Sequence, residues 1–569
     1  MNQSQRTRVR IIFFGIIAAA IILAASLYST QILQGKKYAA RAATQYTKPS
    51  STLFDRGTIY LQSKDGTKIA GATVERGNLV YMNPKQIGDS EQTYAALSEF
   101  ITTDRGSFLN ATKGSDLYDE LAHHQSDSTA ASVAELQLPG IGISPESWRS
   151  YPGGTLASQT IGLIGEDTST STVVGKYGLE RSYENVLDRP GIGSSVNVFA
   201  QLFAGMKNVF SGSNGEGDIV TTIEPTVEGY LEKILSDTSG TWHPDEIGGI
   251  IMDPNTGEVV AMASLPTFNG NDTSDVKDAA VFSNPLVEHV YEMGSIMKPL
   301  TMATGFDTGA ITPTSTYNDT GTMTLNGKTI ANYDGRARGI TTMQTILSQS
   351  LNIGAATVGL KVGGPNMAKY FDSFGLGSKT GVDLPNEATG LVKNLNVGRD
   401  IDVATASYGQ GIAISPLAMT RALSVLANGG YLITPHVVKE IDYVDGTKKI
   451  IAPVKQGPLL TPKTTHQVTD MLVTVVDTAL KNGQIKNDRY TMAAKTGTAQ
   501  IPDHVNGGYY TDRYLHSFFG YFPAYNPQFI VFLYQIYPKG AEYASETLTD
   551  PFNNLAKFLI NYYNIPPDR

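Results

Sequence analysis

The hydropathy pattern of the chain begins with a long uncharged stretch at 11–35, most of which is apolar. As a helix this stretch would extend for about 37 Å, whereas the hydrocarbon core of a bilayer is about 30 Å thick. The stretch is also longer than the core of a typical signal peptide and lacks a clear small-residue cleavage site. The pattern therefore predicts a retained transmembrane anchor at 11–35, preceded by a short segment at 1–10. Because no later apolar run approaches this length, a single span is predicted.

Residues 38–215 mix short β-branched runs with polar stretches rich in Ser, Thr, Asp and Gly. This pattern is typical of an irregular, elongated α+β module. The turn-forming run 210–218 closes it, after which a strand at Ile219–Ile223 and a helix at Pro225–Leu235 are predicted. We therefore place a domain boundary near residue 215, with a second domain at 216–569.

The second domain opens with two apolar runs, Gly248–Met252 and Glu258–Ala263, joined by a turn sequence that predicts a β-hairpin. Helical periodicity then predicts an inserted block of six helices: Ser295–Gly305, Thr341–Gln349, Ile353–Val362, Asn366–Phe374, Pro416–Asn428 and Pro462–Leu480. The later predicted elements are the strands Tyr490–Gln500, Leu515–Tyr521 and Gln528–Tyr537 and the amphipathic helix Asp550–Tyr563. This order predicts a mixed α/β fold: an antiparallel sheet flanked by helices, with a helical subdomain.

The composition limits the partners and the catalytic groups that this protein can use. The 569 residues include 53 Asp and Glu against 44 Lys and Arg, and this acidic balance argues against nucleic acid as a partner. The absence of cysteine excludes disulfides, thiolate metal sites and thiol nucleophiles. The eight histidines are scattered, with only His123 and His124 adjacent, so we predict neither a metal site nor a cofactor. Catalysis would have to use hydroxyls, amines, carboxylates and amides.

One candidate for such chemistry is the pair Ser295 and Lys298. Residues three apart on a helix share one face, so the lysine amine can reach the serine hydroxyl. The amine can act as a base only if burial and nearby cations lower its pKa enough to keep it neutral. Ser295 also lies near a predicted helix N-terminus, where backbone N–H groups favour developing negative charge.

Two further motifs follow in order, and together the three are more specific than any one of them. Ser350 and Asn352 form a Ser-x-Asn element after an amphipathic helix, and Lys495-Thr496-Gly497-Thr498 lies in a predicted strand. The combination of S-x-x-K, Ser-x-Asn and K-T-G is typical of penicillin-recognising serine enzymes. In such a strand a glycine lets a ligand backbone approach closely.

Each motif also occurs a second time. Ser274 and Lys277 repeat the first spacing in a polar run that has no apolar face, so we interpret them as a solvated loop. Ser195 begins another Ser-x-Asn element, but it precedes the candidate nucleophile. Lys379 begins another K-T-G, in a glycine-broken loop that cannot act as an edge strand, so Lys495 is favoured.

Other chemical classes fit less well. Residues 321–329 resemble a phosphate-binding loop, but the spacing of the glycines is wrong and no helix follows. A hairpin turn at Asn326-Gly327 is the favoured interpretation. No nucleophile elbow and no glycine-rich dinucleotide fingerprint follow a predicted strand.

At these motifs the chain resembles the class B penicillin-binding proteins, which are monofunctional peptidoglycan D,D-transpeptidases. The likeness extends over nearly the whole length. Three departures from the family pattern are modest: Met293 replaces a common proline, Leu351 stands where a smaller residue is usual, and Glu224 stands where Asp is usual. The motifs that carry the likeness outside the catalytic triple are Asp55-Arg56-Gly57, Arg149-Ser-Tyr151-Pro152, Gly175-Lys-Tyr-Gly178-Leu-Glu180, Asp253-Pro-Asn-Thr-Gly257, Tyr408-Gly-Gln-Gly411 and Asn428-Gly-Gly430.

The resemblance implies roles for the motif residues. Ser295 would attack the carbonyl between two terminal D-alanines of a stem peptide, with Lys298 as base. Ser350 would relay a proton to the leaving amine, and Asn352 would hold the substrate amide and orient the lysine. Lys495, Thr496, Gly497 and Thr498 would form the substrate-binding strand, and the backbone N–H groups of Ser295 and Thr498 would form the oxyanion hole.

The resemblance also implies the partners and the location. Stem peptides and β-lactams would bind the site, and a membrane-embedded SEDS-type glycan polymerase and other wall-synthesis proteins would be partners. Residues 1–10 would be cytoplasmic and the catalytic bulk would face the cell wall, an orientation that flanking charges alone do not decide. Two alternatives remain: a β-lactam sensor or β-lactamase-like protein, and a catalytically idle scaffold of a wall-synthesis complex.

A hydrolase would need a carboxylate that activates water against the acyl-enzyme. In the class A group a glutamate between the second and third motifs does this, and Glu387 and Glu440 are the glutamates between Asn352 and Lys495. Glu387 stands in a Pro- and Gly-bounded turn, so a structural role is favoured for it. Glu440 follows a strand-like run and is expected to face solvent. A long-lived acyl-enzyme is therefore expected.

Overall fold

The computed structural model describes residues 55–167, 172–189, 215–503 and 505–569. The predicted anchor at 11–35 and the segment before it lie outside these residues. Within the described part of the chain, no helix has both the length and the apolar character needed to cross a bilayer.

The described residues form a mixed α/β fold, as predicted. The strands are β1 (Asp55–Arg56), β2 (Ile59–Gln62), β3 (Lys68–Met82), β4 (Asp119–Gln125), β5 (Ile141–Ser150), β6 (Ile164–Asp167), β7 (Thr172–Gly175), β8 (Asp188–Arg189), β9 (Gly217–Thr221), β10 (Glu246–Met252), β11 (Val259–Leu265), β12 (Thr316–Asp319), β13 (Thr322–Leu325), β14 (Lys328–Ala331), β15 (Gly339–Thr342), β16 (Leu432–Ile433), β17 (Val438–Tyr443), β18 (Lys448–Ile450), β19 (Lys455–Gln456), β20 (Ala493–Pro502), β21 (Tyr509–Phe522) and β22 (Phe529–Ile536).

The α-helices alternate with these strands along the chain. They are α1 (Ser90–Leu97), α2 (Arg105–Ala111), α3 (Asp127–Glu135), α4 (Ser158–Ile161), α5 (Gly178–Ser182), α6 (Glu184–Leu187), α7 (Pro225–Trp242), α8 (Pro285–Glu288), α9 (Lys298–Asp307), α10 (Met343–Ser348), α11 (Asn352–Val362), α12 (Gly364–Ser373), α13 (Asp400–Ala406), α14 (Pro416–Ala427), α15 (Pro462–Thr474), α16 (Ala544–Thr547) and α17 (Thr549–Tyr562).

The described residues divide into two compact units. The smaller comprises Asp55 and Val74–Trp148, and the larger combines Arg56–Thr73, residues 149–189 and the chain from 215 onward. The predicted module 38–215 therefore contributes to both units. In the smaller unit α1, α2 and α3 accompany the paired strands β3 and β4 around a small apolar core.

Three motifs from the first module meet inside the larger unit. The carboxylate of Glu180 accepts hydrogen bonds from the Nε atoms of Arg56 and Arg149, each at 2.6 Å. All three side chains are almost completely buried. Removing one member of such a buried group leaves an uncompensated charge, which typically costs about 3–5 kcal/mol. The three motifs, which are far apart in sequence, are therefore held together by one buried carboxylate.

The centre of the larger unit is an antiparallel sheet with strand order β11-β10-β22-β21-β20. Neighbouring glycines on β10 show how its two faces are covered. A Cβ on Gly249 would lie 2.9 Å from Leu231 of α7, whereas a Cβ on Gly248 would lie 3.2 Å from Leu286 of α8. Since successive residues of a strand point to opposite faces, helices cover both sides, and the predicted sheet flanked by helices is confirmed.

Local signals account for the elements that the sequence predicted well. Helix α7 begins where the Glu224 side chain accepts from the Val227 N–H at 2.7 Å, with Pro225 at its first position. The hairpin β13–β14 turns at Asn326, which has a φ of 48°, and Gly327. Both predicted hairpins, here and at β10–β11, are confirmed.

Two carboxyls of α7, the buried Glu228 and the half-buried Glu232, make stability depend on pH. The Glu228 carboxyl accepts from the Met262 N–H at 2.7 Å, and that of Glu232 accepts from the Ala157 N–H at 2.8 Å. Burial raises the pKa of both above the usual 4.5, and the charge of Glu232 raises that of Glu228 further. Such carboxyls stabilise the fold fully below their unfolded pKa, and this contribution is lost as pH rises through the folded-state pKa.

We therefore predict that Glu228→Gln flattens the loss of stability between about pH 5 and 9, because the amide keeps an acceptor for Met262 and carries no charge. The measurement is the thermal unfolding midpoint across that range, followed by circular dichroism. Glu216→Gln, at an exposed carboxyl of the same unit, is the matched control. Parallel curves for wild type and Glu228→Gln would contradict the prediction.

Candidate active site

Ser295 lies in a tight turn that precedes α9. The predicted helix Ser295–Gly305 begins with a 3₁₀ turn at Gly294–Met297, and regular α-helix starts only at Lys298. Gly294 has a φ of 62°, and a Cβ there would lie 2.8 Å from the carbonyl oxygen of Thr498. The turn is therefore packed directly against β20, and Gly294 is required by this contact.

Lys298 is completely buried beside the serine. Its Nζ lies 2.9 Å from Ser295 Oγ, 2.8 Å from Asn352 Oδ1, and 3.2 Å and 2.6 Å from the hydroxyl and carbonyl oxygens of Ser350. Burial and the neighbouring charge of Lys495 hold the pKa of the amine well below its usual 10.5. Lowering the pKa of the amine favours its neutral form, and only the neutral form can accept the serine proton.

The Ser-x-Asn element occupies the connection between α10 and α11. Ser350 has a φ of 55°, a left-handed conformation, and the next residue, Leu351, is fully buried. The unusual leucine thus belongs to the packing of the connection. Asn352 donates from Nδ2 to the carbonyl oxygen of Ala331 at 3.0 Å, which directs its Oδ1 toward Lys298.

Lys495 enters the site from the edge strand β20. Its Nζ lies 3.1 Å from Ser350 Oγ and 2.8 Å from the carbonyl oxygen of Thr496. Burial lowers its pKa to about 7. The Ser350 hydroxyl therefore lies within hydrogen-bond distance of two lysine amines, Lys298 and Lys495, a geometry suited to passing a proton between groups.

The structure gives a different reason for the glycine of the third motif. A Cβ on Gly497 would lie 2.3 Å from Ser517 Oγ and 2.6 Å from the carbonyl oxygen of Met293. The backbone that approaches Gly497 closely is therefore the protein's own chain, just before Ser295. The motif alone had predicted a ligand backbone in this place.

These residues surround one large cavity of about 1320 Å³. Ser295 and Ser350 open onto it together with Asn352, and β20 contributes a wall. Five tyrosines also line the cavity, and sequence reasoning assigned none of them to the site because nothing local distinguishes them from core aromatics. The wall residues of β20 are Lys495, Thr496 and Thr498, and the tyrosines are Tyr333, Tyr408, Tyr509, Tyr514 and Tyr543.

The duplicate motifs lie in different settings. Ser274 is exposed and its hydroxyl donates to Asp272 at 2.7 Å, as expected of a solvated loop. Lys379 is exposed on a loop whose next two N–H groups both donate to the carboxylate of Glu387. The element at Ser195 lies outside the described residues.

This contrast between the two lysines yields a prediction. Lys495→Ala should slow acylation by a β-lactam about a hundredfold or more, because a charge-assisted partner on the cavity wall is lost. Lys379→Ala should change it less than twofold, because that side chain is solvated. The measurement is the acylation rate of each variant by stopped-flow labelling. Equal losses of rate in the two variants would show that the wrong K-T-G was chosen.

Comparison with known proteins agrees with this geometry. The family model of the penicillin binding protein transpeptidase domain matches residues 247–556, more than half of the chain. The chain belongs to the penicillin-binding protein family. A second model, the penicillin-binding protein dimerisation domain, matches residues 54–196. The resemblance inferred from the motifs is therefore confirmed, and it covers both modules.

Individual penicillin-binding proteins align over most of their length. Stage V sporulation protein D of Bacillus subtilis is 27% identical, over 95% of this chain and 83% of its own. Peptidoglycan D,D-transpeptidase FtsI of Escherichia coli is 26% identical, over 86% of this chain and 81% of its own.

Solved structures of penicillin-binding proteins share the fold. Penicillin binding protein 2X of Streptococcus thermophilus superposes with a TM-score of 0.73 at 19% identity, over 89% of this chain and 79% of that one. Apo penicillin binding protein 3 of Mycobacterium tuberculosis gives 0.65 at 26% identity, over 74% of this chain and 92% of that one.

Proposed function

We propose that this protein is a serine-type peptidoglycan D,D-transpeptidase that cross-links stem peptides and is acylated by β-lactams. One observation carries the proposal: the amine of Lys298 is fully buried, with a lowered pKa, 2.9 Å from the hydroxyl of Ser295 at the edge of a large cavity. Relatives named peptidoglycan D,D-transpeptidase support the same reaction.

The first half-reaction would acylate the serine. Lys298 Nζ takes the proton of Ser295 Oγ as the oxygen bonds to the carbonyl carbon between two terminal D-alanines. Backbone N–H groups of Ser295 and Thr498 would receive the oxyanion, at about 3–4 kcal/mol for each donor in related acyl transfers. The peptide bond then breaks, and the leaving amine takes a proton through Ser350, whose hydroxyl is 3.2 Å from Lys298 Nζ.

The second half-reaction would use an amine of a neighbouring stem peptide. That amine attacks the acyl carbon, loses its proton through the same groups, and restores the Ser295 hydroxyl. Lys495, Thr496 and Thr498 would bind the terminal carboxylate of the donor, since they line the cavity beside the serine. Gly497 contributes to this strand through its packing against the serine turn.

Residues 38–215 would serve as the non-catalytic pedestal and residues 216–569 as the transpeptidase domain. The uncharged stretch 11–35 supports a single-pass plasma-membrane anchor with the catalytic bulk outside the cytoplasm. Wall-synthesis proteins, among them a SEDS-type glycan polymerase, would then be partners within the membrane.

The lifetime of the penicilloyl adduct separates this proposal from its alternatives. Both carboxylate oxygens of Glu387 accept backbone N–H groups of the Lys379 loop, which supports a structural role for this residue rather than water activation. We expect radiolabelled penicillin to remain bound for many minutes, and Glu387→Gln to leave that lifetime unchanged.

Two results would contradict the proposal. Turnover faster than about one per second that Glu387→Gln abolishes would identify a β-lactamase. Complete absence of labelling in folded, full-length protein would favour an idle scaffold.

A further inference from the structure

The hairpin that joins β20 to β21 ends beside the cavity. Its tip is closed by local hydrogen bonds: the Asp503 carboxylate accepts from the Val505 and Asn506 N–H groups, and the Asp503 N–H donates to Gly508 O at 2.9 Å. These bonds shape the tip, but none of them ties it to another part of the molecule.

The ladder that leads to this tip is interrupted. Pairing is continuous from Ala493 opposite Tyr521 to Gln500 opposite Tyr514, and then the register shifts before Pro502 meets Tyr509. An irregularity of this kind leaves backbone groups unpaired and lets the strand end bend. The outer end of the hairpin therefore needs another contact to fix its position.

Tyr509 supplies such a contact. Its hydroxyl lies 3.1 Å and 2.9 Å from the two carboxylate oxygens of Glu292, which is three residues before Ser295. A backbone hydrogen bond from Gly411 also reaches the same carboxylate. Tyr509 and Gly411 both line the cavity, so Glu292 contacts two segments of the cavity wall.

The Glu292 end of this contact is held firmly. Tyr291 exchanges backbone hydrogen bonds with Ile414 at 3.0 Å and 2.9 Å, and the Gly294 N–H donates to Gly409 O at 3.1 Å. Glu292 thus stands between two anchored residues, whereas Tyr509 lies at the interrupted end of its strand. The contact joins a fixed segment to a less restrained one.

We propose that Glu292 and Tyr509 are positioning residues of the transpeptidase site, whose mutual hydrogen bond holds the β20–β21 hairpin closed against the segment that carries Ser295. Closure keeps Tyr509 and the end of β20 at Gln500 in place in the wall of the cavity. Neither residue touches the reacting atoms. The inference rests on the proposed function of the cavity and adds to it a determinant of substrate affinity.

Loss of the hydrogen bond between Glu292 and Tyr509 should weaken antibiotic binding and leave the acylation step unchanged. If the hairpin is closed for only a fraction of the time, the apparent dissociation constant rises by the inverse of that fraction. The Ser295 and Lys298 pair is unaltered, so acylation of bound antibiotic should proceed normally. A hydrogen bond to a charged acceptor is strong enough for an effect of about tenfold.

The test is a concentration series of fluorescent penicillin with the full-length protein, which separates the pre-covalent dissociation constant from the limiting acylation rate. Tyr509→Phe should raise the dissociation constant about tenfold and leave the limiting rate within twofold. Glu292→Gln, whose amide oxygen still accepts from Tyr509, should have a smaller effect than Glu292→Ala. Tyr510→Phe removes the hydroxyl of the neighbouring residue, which is a hydrogen-bond partner of Asp503 within the hairpin, and should match wild type.

A double-mutant cycle decides whether the two residues act through each other. Glu292→Ala combined with Tyr509→Phe should bind no more weakly than Glu292→Ala alone. Additive losses, or wild-type binding by Tyr509→Phe, would overturn the proposal. Should Glu292→Ala fail to fold, Glu292→Gln and Tyr509→Phe still give the answer. If wild type itself does not label at Ser295, the proposed function fails, which is a separate result.

Discussion

Replacing Ser295 with alanine is expected to abolish covalent labelling by penicillin entirely. The serine supplies the oxygen that forms the acyl bond, and it alone among the two S-x-x-K serines has a buried lysine amine at 2.9 Å. Intact mass spectrometry of purified protein would show the adduct on wild type and none on the variant. Peptide mapping of the wild-type adduct would locate it on the peptide that contains Ser295.

Ser274→Ala is the matched control for this experiment. It removes the same hydroxyl from the same sequence spacing, but at an exposed position where the neighbouring carboxylate of Asp272 is the hydrogen-bond partner. Its labelling should equal that of wild type. Label that persists in Ser295→Ala protein would show that another residue is the nucleophile.

Lys298→Ala should lower the acylation rate by about a thousandfold or more, because a positioned general base contributes about 10²–10⁴ and the serine hydroxyl is a poor nucleophile without one. The protein should remain folded. Burying an amine with a pKa far below 10.5 opposes folding at neutral pH, since the unfolded chain binds the proton more tightly. Removing the amine removes this unfavourable contribution to the free energy of folding. That gain offsets part of the stability lost with the hydrogen bonds of the amine.

The acylation rate and the thermal unfolding midpoint, measured together, test this expectation. A midpoint within about 4 °C of wild type would show that lost acylation reflects lost chemistry. Lys298→Met, which fills more of the same buried space, controls for the cavity that alanine leaves. Acylation of either variant at the wild-type rate would remove Lys298 from the role of base.

Much of the secondary structure was predictable because its signals are local. The hairpin β10–β11 has an apolar run on each side of a turn sequence, and α14 was predicted at Pro416–Asn428 and observed at Pro416–Ala427. Proline at the first helical position and serine as the N-cap mark the start of α14. Such signals act over a few residues, so they can be recognised without the rest of the fold.

Elements whose limits depend on distant residues were predicted less well. Strand β21 was expected to begin at Leu515 but begins at Tyr509, because Tyr514 pairs with Gln500 and, after a register shift, Tyr509 pairs with Pro502. The helix predicted at Pro462–Leu480 is regular α-helix only as far as Thr474, and a π-helical turn follows at Val475–Ala479. Apolar periodicity identifies elements with a buried face. It could not identify the limits of these segments, because they lie on the surface or line the cavity.

By itself the sequence determined the mixed α/β class, the family resemblance and the ordered motifs at Ser295, Ser350 and Lys495, because residue type and short spacing define all of them. The tertiary structure alone decided that Ser350 Oγ lies between two amines, contributed from 52 and 145 residues away. It also showed that Gly497 accommodates the protein's own backbone. The physical reason is that hydrogen-bond distances, burial and the pKa values that follow from them arise only when distant segments pack together.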